Sequence, residues 1–184
     1  MGLYWSETED SVFTCAQKDL LEFAPLHRDE IFYGFYLHCN APYREIFMYM
    51  NTEDLLLKKI EQEKVTHAEL YAGWSQEKLI ESYRWSAADW GYVISDCIER
   101  DRYEEMLKKS SEVWDSLPPH DDGDPKEYEQ FNELICRVAI RLERAGVFDA
   151  FQKTSDFGIV CADYGDDKNG RLRLERVRAS MPPA

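Results

Sequence analysis

The residues Ser82-Tyr-Arg-Trp-Ser-Ala-Ala-Asp-Trp-Gly-Tyr92 crowd four aromatic rings and a lone arginine into one short stretch. Arginine among tryptophan and tyrosine is the composition of an interaction hot spot, because these side chains bury large areas and keep a polar handle. Arg84, Trp85 and Trp90 are therefore the candidate binding residues. The same rings also suit a core anchor where one element meets the next, and both readings stand at this point. His38 and Cys39 form the other pair of interest, since a thiol beside an imidazole is the composition of an activated nucleophile. Adjacent strand residues point to opposite faces, however, so the two are not placed to share a proton.

Metal chemistry finds little support. His27, His38, His67 and His120 stand in four different settings, none at a zinc-binding spacing with cysteine or carboxylate. Asp163, Asp166, Asp167 and Asn169 offer hard oxygen ligands, but counting from Asp163 puts Gly165 third and Leu174 twelfth, which fails the calcium-loop pattern. A solvated turn over Asp163 to Gly170 is expected instead. Glycine-rich phosphate loops, a nucleophile elbow and the helical metalloprotease motif are absent, so no catalytic residue, metal or cofactor is assigned.

The elements that must position these residues follow from periodicity. Val12, Phe13, Ala16, Leu20 and Phe23 recur on one helical face, so a first helix is expected from Ser6 or Thr8 to Phe23, stopped by Pro25. Ile31 to Cys39 and Arg44 to Met50 are rich in aromatic and branched residues around a turn at Asn40 to Tyr43, which predicts an antiparallel hairpin. Strict alternation would put Phe32, Gly34, Tyr36 and His38 on one face and Tyr33, Phe35, Leu37 and Cys39 on the other. Asn51 or Thr52 is placed to cap a helix ending near Lys64. The stretch from Val65 to Leu79 is ambiguous, with a short helix at Gln76 to Ile80 as one reading.

Ser82 to Trp85 reads as a short strand, and Ser86-Ala-Ala-Asp89 as a capping box opening a helix that reaches Trp114. Pro118 to Asp124 is an exposed acidic loop. Asp124 and Pro125 then open a helix carrying Tyr128, Phe131, Ile135, Val138 and Leu142, closed by Gly146. Phe157 to Ala162 is a last strand, Leu172 to Val177 suits strand or helix equally, and a frayed tail runs over 180–184. The order lacks regular strand-helix alternation, so the expected fold is a single α+β domain over residues 1–184. Its small, mostly antiparallel sheet, the aromatic hairpin plus two further strands, is covered by four or five helices.

Composition bounds the function. Lysine and arginine number 22 against 36 acidic residues, a formal charge of −14 that opposes nucleic acid as a partner. No apolar run approaches the roughly 20 residues of a spanning helix, and the acidic N-terminus is unlike a secretory leader. Five widely spaced cysteines read as buried reduced thiols, so a cytoplasmic protein without membrane contact is expected.

Around these residues the chain resembles the bacterial family known as domain of unknown function 4303. The likeness rests on Arg84-Trp-Ser-Ala-Ala-Asp89-Trp90, on Asn51-Thr-Glu53 and on Gly146-Val-Phe148. The resemblance implies small cytoplasmic proteins, some acting as immunity partners that neutralise secreted toxins, and it brings no catalytic residues with it. The leading expectation is a non-enzymatic, acidic protein-binding module whose partner is a basic protein such as a toxin. The rival is a small enzyme or ligand-binding domain with a pocket lined by the hairpin aromatics and His38. A third reading is a homodimer formed through the aromatic strand edge.

Overall fold

The computed structural model describes residues 2–40, 45–94, 125–162 and 167–182. Helix α1 spans Gly2–Phe23 and runs into a 3₁₀ turn at Ala24–His27; strands β1, Ile31–Asn40, and β2, Glu45–Thr52, form the hairpin. Helices α2, Glu53–Thr66, and α3, Gln76–Tyr83, follow, then a 3₁₀ turn at Ala87–Asp89 and the two-residue strand β3, Tyr92–Val93. After the next described stretch begins come α4, Pro125–Arg144, a 3₁₀ turn at Val147–Ala150, β4, Gln152–Ala162, and α5, Asp167–Ser180. The fold is α+β, as expected.

The sheet order is β3-β2-β1-β4. The β1–β2 and β2–β3 pairings are antiparallel, but β4 lies parallel to β1, so the sheet is mixed. Among the described residues β3 and β4 are the outermost strands, and β3 pairs only with Tyr49 and Met50 of β2.

A bulge in β1 sets which side chain faces which way. Phe32 and Gly34 pair with Thr52 and Asn51, so two steps along β1 match one along β2. An extra residue reverses the alternation beyond it. Phe32 consequently lies with Phe35, Leu37 and Cys39 in the larger apolar cluster, while Tyr33 joins Tyr36 in the smaller one. This corrects the strict alternation read from the sequence.

The larger cluster fills the space between the sheet and α1, α4 and α5, with Val12, Ala16 and Leu20 meeting Phe131, Ile135, Val138 and Leu142. Each fully buried Val, Leu, Ile or Phe among them is worth about 1.5–3 kcal/mol relative to exposure. The smaller cluster covers the opposite face with Leu56 and Ile60 of α2, Leu79 of α3 and Trp90. Both sheet faces are thus covered, which explains why neither face of β1 reads as wet. Among the described residues no helix is long and apolar enough to cross a membrane.

Local chemistry explains the helix ends. Thr52, not Asn51, caps α2: its hydroxyl accepts from the Leu55 amide at 3.2 Å, and Glu53 and Asp54 favour the positive helix start. Ser75 caps α3 in the same way through Lys78. Beyond Arg144, Gly146 adopts φ 69°, a left-handed conformation that suits glycine.

Three expectations are corrected. Ser82 to Trp85 is no strand: Ser82 and Tyr83 end α3 and the next two residues form a turn. Ser86 opens only the 3₁₀ turn, after which Trp90 is extended and Tyr92–Val93 is a strand, so no long helix starts there. Asp167 to Gly170 is the first turn of α5 instead of a loop; Leu172 to Val177, open between strand and helix, takes the helical reading. The expected acidic loop at 118–124, the body of the helix drawn to Trp114 and Asp163 to Asp166 lie outside the described residues.

Candidate functional site

Two of the segments on which the family resemblance rests, Asn51–Glu53 and Arg84–Trp90, come together from distant parts of the chain. Arg84 follows α3 directly, and its guanidinium donates to Glu53 Oε1 at 2.7 Å and to Asp156 Oδ2 at 2.9 Å. It also lies 4.3 Å above the Tyr33 ring. One side chain thereby links the start of α2, β4 and β1. Burial and the hydrogen bond from Asn51 oppose each other at the Tyr33 phenol; burial prevails and raises its pKa above the ordinary value, with Arg84 lowering it and Glu53 raising it slightly.

Asn51 is the buried hinge of this network. Its Nδ2 donates to the Tyr33 hydroxyl at 2.8 Å, and its Oδ1 accepts from the Gly91 amide at 3.2 Å. Ser86 Oγ donates to Asp89 Oδ2 at 2.8 Å, while Asp89 Oδ1 meets Lys59 of α2 at 3.0 Å. The Trp90 indole donates to the Arg84 carbonyl at 3.1 Å. The Ser86-to-Asp89 spacing thus closes a short turn against α2 instead of starting a helix.

Two of the three candidate binding residues are mostly enclosed. Trp90 is 5% exposed and meets Tyr33 and Tyr36 edge-on, with centroids 5.5 and 5.9 Å away. The Arg84 side chain is 16% exposed. Trp85 is half-buried and stands 5.8 Å from Tyr33 at 90°. Its ring rests on a bed of two glycines paired across β1 and β4, Gly34 and Gly158. A Cβ on Gly158 would come within 2.7 Å of Trp85 Cη2, and one on Gly34 within 2.7 Å of Trp90 Cη2 and 3.0 Å of Trp85 Cζ3. The absence of side chains there is what admits the indoles.

Beside Trp85 opens a cleft of about 620 Å³ that runs along β4. Asp156, Phe157, Gly158, Ile159 and Val160 form its strand wall, and α5 contributes Arg171, Leu174, Glu175 and Arg178. Phe148 and Asp149 of the 3₁₀ turn, Glu143 and Lys153 complete it. The Arg171 guanidinium lies 4.1 Å above the Trp85 ring. Sequence reasoning found Trp85 but missed the other walls, because α5 read as strand or helix equally and the docking of α5 on β4 has no local signal. The close approach at Gly170, where a Cβ would collide with the Cys161 carbonyl oxygen, is one sign of that docking.

His38 does not line this cleft. It stands on the α2 face of the sheet, stacked on Phe47 at 6.0 Å and edge-on to Tyr49 at 6.4 Å. Cys39 points the other way and donates to Asn132 Oδ1 at 2.8 Å, so the two side chains occupy opposite faces as alternation requires. Cys15, Cys39, Cys136 and Cys161 are free thiols; burial, with Cys136 beside it, raises the Cys161 pKa. His27 was not singled out by its sequence, yet its Nδ1 meets Glu30 Oε1 at 2.7 Å, and the Tyr92 hydroxyl donates to the same carboxylate. Burial first, and this carboxylate second, push the Tyr92 phenol up to about 12. Among the described residues no group of three or more histidine, cysteine or acidic side chains is placed to hold a metal ion. His120 lies outside them.

No curated protein and no solved structure matches the chain. A family model does, over residues 11–180, a span that includes Asn51 to Glu53, Arg84 to Trp90 and Gly146 to Phe148 together with every wall of the cleft. The chain belongs to the family described as a domain of unknown function, DUF4303.

Proposed function

We propose that this protein is a non-enzymatic binding module that engages a basic protein, acting as an immunity partner for a basic bacterial toxin in the cytoplasm. The observation that carries this reading is the charge of −14 and its uneven distribution along the chain. Residues 95–124 alone hold ten carboxylates against four lysines and arginines. Residues 167–182 reverse the balance, with five basic side chains against two acidic ones. A surplus of this kind attracts a basic surface over a distance and masks it by pairing, without chemistry on the inhibitor's side.

The charged groups near the Arg84 junction support binding more than turnover. Arg84, Glu53, Asp156, Lys59 and Asp89 are tied to one another in structural ion pairs that hold α2, α3 and β4 in place. The test is co-purification from the native host at low and at high salt. A basic protein retained at low salt and released at high salt is the expected outcome, since exposed charge pairs weaken as the screening length shortens. Recovery of a small molecule and no protein partner at either salt would defeat the reading.

A further inference from the structure

We infer that the cleft beside β4 is where such a partner docks, through an extended segment that lays one arginine or lysine side chain across Trp85 and Phe157. This inference rests on the basic-partner reading above and assigns it a place. Five apolar side chains, Trp85, Phe148, Phe157, Ile159 and Leu174, are among those that line the cleft. Side chains of this kind take the methylene stem of a long basic residue, and an indole face attracts its head. Arg171 already demonstrates the geometry, with its guanidinium over the Trp85 ring.

The rim supplies the complementary charge. Four carboxylates line the cleft, and they are the outward members of their ion pairs: Asp149 is 79% exposed, Glu175 70%, Asp156 65% and Glu143 42%. Three of the cations there are more enclosed, Lys153 at 29%, Arg178 at 35% and Arg84 at 16%, while Arg171 is exposed and lies over the Trp85 ring. Away from Arg171, an approaching chain meets acid first. Screened pairs of this kind keep free lone pairs toward solvent, so a second cation can join without breaking the first contact.

The sheet edge favours a peptide over a free amine. β4 ends the sheet, and among the described residues no strand pairs with its outer side. Four residues of β4, Thr154 to Phe157, stand opposite Tyr33 alone, which takes that part out of the ladder, and α5 closes over Cys161 and Ala162. Gly158 and Ile159 remain, half-buried along the cleft wall, with main-chain groups that an extended partner can meet. The volume of 620 Å³ exceeds what one side chain fills and accommodates a short stretch of chain.

The test uses the full-length ¹⁵N-labelled protein and two blocked pentapeptides, Thr-Val-Arg-Val-Thr and the same sequence with glutamate at the centre. The arginine peptide is expected to shift the Trp85 indole N–H and the Gly158 amide, and the glutamate peptide is not. Asp149→Asn combined with Glu175→Gln, exposed isosteric changes that leave the spectrum of the free protein dispersed, should weaken binding by about threefold to tenfold at low salt. Arg171→Ala should tighten it, by removing a like charge and uncovering the indole. Shifts confined to residues away from the cleft, with the Trp85 indole silent, would overturn the assignment of the site and leave the basic-partner reading standing. Equal binding of the glutamate peptide would overturn both.

Discussion

At Gly34 and Gly158 the presence of one methyl group decides whether two indoles fit. The Gly34 Cβ would press on Trp90, which is 5% exposed and hemmed in by Tyr33 and Tyr36, so the ring has nowhere to go. The Gly158 Cβ would press on Trp85, which borders an open cleft and can swing. Gly34→Ala is expected to cost about 1–3 kcal/mol by overpacking and Gly158→Ala clearly less, as read from urea unfolding midpoints. Equal costs would show that Trp85 is held as rigidly as Trp90. A second comparison separates burial from charge in the same network. Asn51→Ala strips partners from a buried tyrosine hydroxyl and a backbone amide, a loss of about 1–3 kcal/mol. Arg84→Met removes two ion pairs whose carboxylates are 40% and 65% exposed and can turn to water, worth about 1 kcal/mol or less. The arginine thus reads as the more conspicuous residue and the asparagine as the more costly one to lose; a larger loss at Arg84 would reverse that ranking.

The docking of α5 decides whether the cleft exists, because α5 forms one wall and leans on α4 through charge. Glu129 meets Arg173 at 3.0 Å and also pairs with Arg176, which reaches Glu133 at 2.9 Å. Burial pushes the Glu129 carboxyl up, but the two guanidiniums outweigh it and hold the pKa below the ordinary 4.5. A carboxylate whose folded pKa is depressed stabilises the fold fully above its unfolded value, and loses that contribution as pH falls from about 4.5 through the lowered folded value. Glu129→Gln should therefore be less stable than the wild type at neutral pH and converge with it in acid, measured by urea unfolding across that range; a gap that persists undiminished in acid would mean packing and not charge holds α5. Little of this docking is legible in the sequence. The apolar steps of α1 and α4, the hairpin, the Thr52 cap and Gly146 could all be read, because each signal lies within a few residues. Ser82 to Trp85 misled, since aromatic side chains favour strands locally, whereas Trp85 is placed by two glycines more than 50 residues and more than 70 residues away in the chain. The bulge at Tyr33 and the parallel β1–β4 pairing likewise answer to partners distant in sequence. The binding candidates could be named, but not the cleft they border, because its other walls arrive with β4 and α5.

Across the whole molecule the described carboxylates are largely interleaved with basic groups. Glu9 binds Arg137 and Arg141 across α1 and α4, and Glu143 binds Arg178 across α4 and α5. Those pairs stitch the helical layer together. Among the described residues the same layer is the thicker one. Its cluster draws on three helices and buries Phe32, Phe35, Phe131, Ile135 and Leu142, whereas the opposite layer rests on α2, α3 and a few tyrosine and tryptophan rings. Only Leu79 of the eight-residue α3 is buried, so that helix is held by little apolar area. Local opening free energies follow apolar contact and hydrogen-bond shielding. Native-state hydrogen exchange in low denaturant should find β1 and α4 protected at the global limit and α3 opening below it, taking Arg84 and Trp85 with it because they follow α3 without a break. The consequence reaches the proposed docking cleft. If α3 opens alone, Trp85 leaves its glycine bed in a minor state, and a bound arginine peptide should slow exchange in α3 selectively. Identical protection in α3 and α4, with or without the peptide, would make the domain one cooperative unit and the cleft a fixed feature of it.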